Sequence, residues 1–176
     1  GRSAGRNITT GTLNTLIGGL AGDAITTGNS NVAVGYETLS ADTLGDRNVA
    51  IGLQALLTQN FTTSTDSYNT AVGYAAGLAV TTGVQNTLIG GLAGDAITTA
   101  SYNTAVGHQS LTANTTGTYN TGVGTYAGGY ITTGTSNSTF GYNSLARNTT
   151  GANNVALGND ALFSNTTASN NTAAGK

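Results

Sequence analysis

Apolar residues in this chain come in short bursts rather than in helical stripes. Each burst stands between an Asn and a Gly, as in Asn14-Thr-Leu-Ile-Gly18 and Asn103-Thr-Ala-Val-Gly107. The Asn recurs at Asn14, Asn31, Asn48, Asn69, Asn86, Asn103, Asn120, Asn137, Asn154 and Asn171. The Gly recurs at Gly18, Gly35, Gly52, Gly73, Gly90, Gly107, Gly124, Gly141, Gly158 and Gly175. The Asn-to-Asn spacing is 17 residues in eight of nine intervals and 21 in the ninth, between Asn48 and Asn69. A fixed short period decides architecture before any local reading. The Asn is here position 1 of a 17-residue unit and the Gly position 5.

The pattern argues against helix. Gly, Asn and Thr all have low helix propensity, and no i, i+3, i+4, i+7 stripe persists. Runs such as Thr-Ala-Val and Val-Ala-Ile read as strands of about four residues bounded by turn formers. The expected fold is all-β: a parallel β-solenoid or β-roll of 17-residue coils, each pairing in register with the next. Ten coils spaced by ~4.8 Å make a rod of roughly 48 Å. Asn at position 1 is expected to form a side-chain ladder along the rod. Gly at position 5 is expected where the chain turns or another backbone comes close.

The rest of the unit suggests what the inside of a coil needs. Position 9 is Gly or Leu, and position 12 is aliphatic or polar. The choices are coupled: Gly22, Gly77, Gly94 and Gly128 go with Ile25, Val80, Ile97 and Ile131. Leu39, Leu56, Leu111, Leu145 and Leu162 go with Asp42, Gln59, Asn114, Asn148 and Asn165. That is volume compensation, so positions 9 and 12 are expected to share a core. Position 4 is the other regular aliphatic (Ile17, Val34, Ile51, Val72, Ile89, Val106, Val123, Phe140, Leu157) and is expected to anchor the core. Position 8 is small throughout. Such a thin core favours a further core shared between chains. The four extra residues in the unit 48–68 are expected to bulge as a loop, with Phe61 exposed or plugging a gap. Asn14–Thr27 and Asn86–Thr99 are identical, which points to duplication of a block of units.

Composition narrows the partners. The chain is one repeat domain over 1–176, with Thr, Gly and Asn making up almost half of it. Five basic and seven acidic residues give a net charge of −2, which lacks the basic footprint of a nucleic-acid binder. No apolar run is long enough to span a bilayer as a helix. With no Cys there is neither a disulfide framework nor a thiolate metal site. Both ends fall inside a repeat, so a piece of a longer protein is expected, continued by flanking sequence or by head-to-tail copies.

Candidate chemistry is sparse, and no catalytic, cofactor or metal site is expected. His108 is the only His and has no companions for a metal cluster or a triad. Glu37, Asp42 and Asp46, beside Arg47, form the one acidic cluster. Paired carboxylates can hydrolyse glycosides, but a solvated turn is the simpler reading. Asp23 and Asp95 share position 10 without the coil-by-coil repetition of a calcium array. Gly122-Val-Gly124-Thr-Tyr-Ala127 imitates a dinucleotide fingerprint but lacks the βαβ context. Thr-Thr pairs at positions 13 and 14, such as Thr98-Thr99 and Thr115-Thr116, could form an ice-binding ladder, although each pair offers only one outward Thr. Tyr36, Tyr74 and Tyr142 at position 6, with Tyr68, Tyr102 and Tyr119 at position 17, are expected outside, where they could stack on sugars or cover the rod. Seven Asn-X-Ser/Thr sequons leave glycosylation open.

The unit Asn-Thr-Ala-Val-Gly-Tyr…Leu…Asn-Thr-Thr-Gly resembles the tail-fibre-type repeats of phages and environmental bacteria. More distantly it resembles the head repeats of trimeric autotransporter adhesins, which are trimeric left-handed β-rolls with a shorter repeat. The likeness covers the whole chain and is nearest in Asn103–Gly117 and Asn137–Gly151. It implies a trimeric extracellular fibre segment on a cell or virion surface and brings no catalytic residues. The expected role is therefore a stiff spacer whose variable positions 6, 7, 10 and 11 offer an attachment surface. A module that binds glycans or ice is the alternative.

Overall fold

A computed structural model describes all residues 1–176 and contains strands and turns but no helix. The fold is a parallel β-solenoid. Ten strands of three residues occupy positions 2 to 4: β1 (Thr15–Ile17), β2 (Val32–Val34), β4 (Val49–Ile51), β6 (Thr70–Val72), β7 (Thr87–Ile89), β8 (Thr104–Val106), β9 (Thr121–Val123), β10 (Ser138–Phe140), β11 (Val155–Leu157) and β12 (Thr172–Ala174). They form one parallel sheet in sequence order, and like positions face like across every pair, as in Thr104↔Thr121 and Val106↔Val123. A second sheet pairs β3 (Gly45–Asp46) with β5 (Thr65–Asp66) beside the four-residue insertion.

The strands are only part of the ladder. Of 105 backbone hydrogen bonds, 19 lie within the strands and 86 elsewhere, so coils are held together mainly at their corners. Leu39 N–H donates to Ala55 O, Leu56 N–H to Ala76 O, and Gly94 N–H to Ser110 O. Regular strand needs extended backbone, but a coil this short must turn repeatedly. It does so with left-handed residues at positions 5, 7, 9 and 17.

Gly at position 5 answers two demands at once. Gly107 has φ +132°, and a Cβ there would stand 2.7 Å from the backbone of Gly124 in the next coil. No side chain fits between backbones so close. Position 9 is the more unusual corner. Leu39, Leu56, Leu111, Leu145 and Leu162 adopt φ of 50° to 52°, a costly conformation for a bulky residue. The first four of these side chains are fully buried, and that burial offsets the strain.

Positions 9 and 12 do face a common core. Ile25, Val80, Ile97 and Ile131 are buried in the coils that carry Gly at position 9. Stacking explains the coupled choice. A Cβ on Gly94 would lie 2.8 Å from both Ile97 Cδ1 and Leu88 Cδ2. A Cβ on Gly77 would meet Leu88 and Leu56, from the coils on either side. Compensation therefore runs between coils as well as within them. In the alternative coils the polar residue at position 12 closes its own corner: Asn114 Nδ2 donates to Gly117 O and Gly117 N–H returns to Asn114 Oδ1, each at 2.9 Å. Position 8 is buried whether Ala, Ser or Thr, and Phe61 is buried beneath the insertion at 6% exposure.

The expectation for position 4 is overturned. Position 3 points inward, with Ala33, Ala50, Ala71, Ala105 and Ala156 all fully buried. Neighbouring strand residues point to opposite faces, so positions 2 and 4 point outward together. Ile17 is 57% exposed, Ile51 37%, Ile89 39%, Phe140 40% and Leu157 41%. The coil is narrow, and the Leu and Ile side chains from positions 9 and 12 leave room mainly for Ala at position 3.

Candidate functional site

The position-1 Asn column runs through the interior. Asn31, Asn48, Asn69, Asn86, Asn120, Asn137 and Asn154 are fully buried, and Asn103 is 1% exposed. Each Oδ1 accepts the backbone N–H of the next Asn, as Asn103 N–H to Asn86 Oδ1 and Asn120 N–H to Asn103 Oδ1, both 3.0 Å. In several coils the side chain joins in: Asn103 Nδ2 donates to Asn86 Oδ1 at 3.2 Å and Asn137 Nδ2 to Asn120 Oδ1 at 3.1 Å. Most of the other Nδ2 bonds go to position 15 of the same coil, as Asn86 Nδ2 to Ala100 O at 2.9 Å, while Asn103 Nδ2 donates to Ser101 O at 3.2 Å. No buried side-chain polar atom lacks a partner, as a dry interior requires.

The acidic cluster comes apart in three dimensions. Glu37 lies on the surface and accepts from Gln54 Nε2 at 2.9 Å. Asp46 is nearly buried and accepts from Asn29 N–H and Ser64 Oγ. Arg47 instead forms an ion pair with Asp66 and lies over the Tyr68 ring. Asp42 is not in a solvated turn. It occupies the interior position 12, fully buried, because a coil with Leu39 at position 9 has no room there for an aliphatic. Gln59 Nε2 donates to its Oδ2 at 2.6 Å and Gly45 N–H to its Oδ1 at 3.0 Å. Gln59 Oε1 in turn accepts from Asn69 Nδ2 at 2.8 Å, which ties the carboxyl into the Asn column. Burial pushes the Asp42 carboxyl above the usual carboxylate range, against the pull of those donors. No group of three or more His, Cys, Asp or Glu side chains comes together. His108 is exposed and meets the Tyr126 ring edge-on.

The Thr columns divide by depth. At position 13 the hydroxyls of Thr81, Thr98, Thr115 and Thr132 donate to the carbonyl of the same position one coil on, each at 3.1 Å. At position 14, Thr82, Thr99, Thr116 and Thr133 are exposed. One outward row results, narrower than a two-dimensional hydroxyl lattice.

Two surfaces stand out. The first is the outer face of the large sheet, where positions 2 and 4 carry only Thr, Ser and apolar residues and no charge along all ten strands. At ~4.8 Å per strand this face is roughly 43 Å long. The second is aromatic. Tyr36, Tyr74 and Tyr142 at position 6 and Tyr68, Tyr102 and Tyr119 at position 17 are all exposed. Tyr102 and Tyr119 stack with centroids 5.0 Å apart. Among them, Tyr36 lines a hollow with Arg2 and Arg6 at the first coils, and Tyr142 lines one on the C-terminal coils. A hollow of about 260 Å³ is lined chiefly by Tyr126, Tyr130, Tyr142, Asn143, Arg147 and Phe163. The residues at positions 7, 10 and 11 of that hollow stand out only when consecutive coils are laid side by side, because no single unit contains the cluster.

Comparison of the chain with protein-family models, with curated proteins and with solved structures gave no match in any of the three. The class that the fold defines is a β-solenoid repeat protein.

Proposed function

We propose that this chain is a non-enzymatic structural segment of an extracellular fibre, filament or adhesin, built as a parallel homotrimer whose members meet through the outer face of the sheet. The observation that carries this reading is the uncharged aliphatic row Ile17, Val34, Ile51, Val72, Ile89, Val106, Val123, Phe140 and Leu157, which continues from coil to coil and is unpartnered in the single chain. Contiguous apolar patches of that extent mark interaction sites. A row with the same character at every coil is self-complementary, so a second copy in the same direction fits it along its whole length. Three copies close the row around an axis and form the additional core that a narrow coil lacks. Trimer order is also what the resemblance to fibre and adhesin repeats implies.

The mechanism is mechanical. In-register ladders at every corner resist bending, and the interior Asn column fixes the register. Sedimentation equilibrium is the test: a species of three times the 17.4 kDa chain mass is expected at micromolar concentration. A monomer that persists at tens of micromolar overturns the trimer.

A further inference from the structure

The aromatic hollow on the C-terminal coils continues into a second one of about 360 Å³, lined by Tyr130, Arg147, Thr149 and Thr166. Tyr130 and Arg147 line both, so they stand between two adjoining depressions. Each depression is near the lower end of small-ligand site volumes, a size for one ring rather than a long chain. The first is walled mainly by aromatic rings, and the second by the Tyr130 ring, Arg147 and two threonines. Tyr130 is 60% exposed and Tyr142 52%, so both rings are open to a ligand.

Arg147 gives the site its sign. The chain has two salt bridges, Arg6 to Asp23 and Arg47 to Asp66, and Arg147 takes part in neither. Its guanidinium lies 4.7 Å from the centroid of the Phe163 ring, which steadies it, and the residue is exposed to solvent. No carboxylate lines either depression. A planar fork of this kind matches a carboxylate with two parallel hydrogen bonds. A pyranose ring offers an apolar C–H face to an aromatic ring and hydroxyls at its rim, where the Asn143 amide and the Tyr hydroxyls are available.

We propose that this double depression is a binding site for an acidic saccharide, with sugar rings packed on Tyr130 and Tyr142 and a sugar carboxylate held by Arg147. The site goes beyond the spacer role and does not depend on the oligomeric state. The test is a titration of the intact protein with tetragalacturonate, and with uncharged maltotetraose, at 0.15 M salt. Binding is read from tyrosine fluorescence, which no Trp obscures. Saturable binding of the acidic oligomer is expected, at least tenfold tighter than the neutral one. Arg147→Gln should weaken it tenfold or more and remove the preference for charge. Tyr130→Ala should weaken both oligomers, whereas Tyr102→Ala, outside the depression, should change neither. All three positions are exposed, so circular dichroism of the variants should match that of the parent. No saturable response, equal affinity for the two oligomers, or unchanged affinity in Arg147→Gln overturns the proposal. Because self-association is read separately by sedimentation, failure here leaves the structural role standing.

Discussion

The two faces of the ten-stranded sheet differ in a way opposite to the usual rule. The inner face carries mostly small residues, Ala33, Ala50, Ala71, Ala105 and Ala156, all fully buried, with Leu88 as a large exception beside the Gly at position 9. The outer face carries the large ones, with Ile89, Phe140 and Leu157 about two-fifths exposed. In an ordinary half-buried sheet the larger apolar set faces the core. Here the coil is so narrow that its interior is filled chiefly from positions 9 and 12, and most strands add little more than backbone and Cβ, Leu16 and Leu88 excepted. Large aliphatics placed outside that interior, in one column, point to a second core between chains.

A buried charge should separate the faces most sharply. Ala105→Asp puts an unpaired carboxylate into the closed interior, a penalty of several kcal/mol, and loss of the cooperative thermal transition is expected. Val106→Asp, one residue on, should keep that transition and the far-ultraviolet spectrum while driving the proposed trimer to monomer. Similar damage from both substitutions contradicts the assignment of faces.

The interior has its own check in the coupled pair. Leu111→Ala should cost about 2–5 kcal/mol in urea unfolding, through lost burial and a residual cavity. Leu111→Gly with Asn114→Ile recreates the Gly94 and Ile97 arrangement. The double variant should be more stable than the sum of its singles predicts, by about 1 kcal/mol or more. Strict additivity would mean that positions 9 and 12 do not share space.

A smaller effect is expected along the Asn column. Asn103→Ala removes the acceptor of Asn120 N–H and one donor to Asn86 Oδ1. An orphaned buried group costs about 1–3 kcal/mol, which a shift in the urea midpoint would report.

The mildest prediction concerns pH. The folded-state pKa of Asp42 lies above its ordinary value of 3.8 because of burial. Folding therefore takes up a proton between the unfolded and the folded pKa. The contribution to stability is present below the unfolded value and is lost as pH rises through the folded one. Asp42→Asn, which supplies the residue found at 114, 148 and 165, should raise the Tm at pH 7, and the gain should shrink toward pH 3. A gain that is independent of pH contradicts the assignment.

The period, the solenoid and the shared space of positions 9 and 12 were legible because each rests on repetition. The parity of the strand was not. Ile and Val at position 4 outweigh Ala at position 3 on any hydrophobicity scale, so size pointed to the wrong face. The alternation that separates Thr98 from Thr99 applies equally to positions 3 and 4 and holds the right answer. Asp42 was misplaced for a related reason: its charge suggests solvent, while its partner Leu39 and the Asn residues at the same position in other coils mark it as interior. The hollow around Tyr130 and Arg147 was hidden because stacking, rather than sequence proximity, assembles it.

Cross-linking at single introduced cysteines tests the central claim most directly, since the chain has none of its own. Ile89→Cys lies in the outer aliphatic row and Thr99→Cys on the exposed Thr column. Under mild oxidation at micromolar concentration, Ile89→Cys should form interchain disulfides rapidly and in high yield, while Thr99→Cys remains largely reduced. Equal and slow oxidation of the two would show that the outer face is not where chains meet.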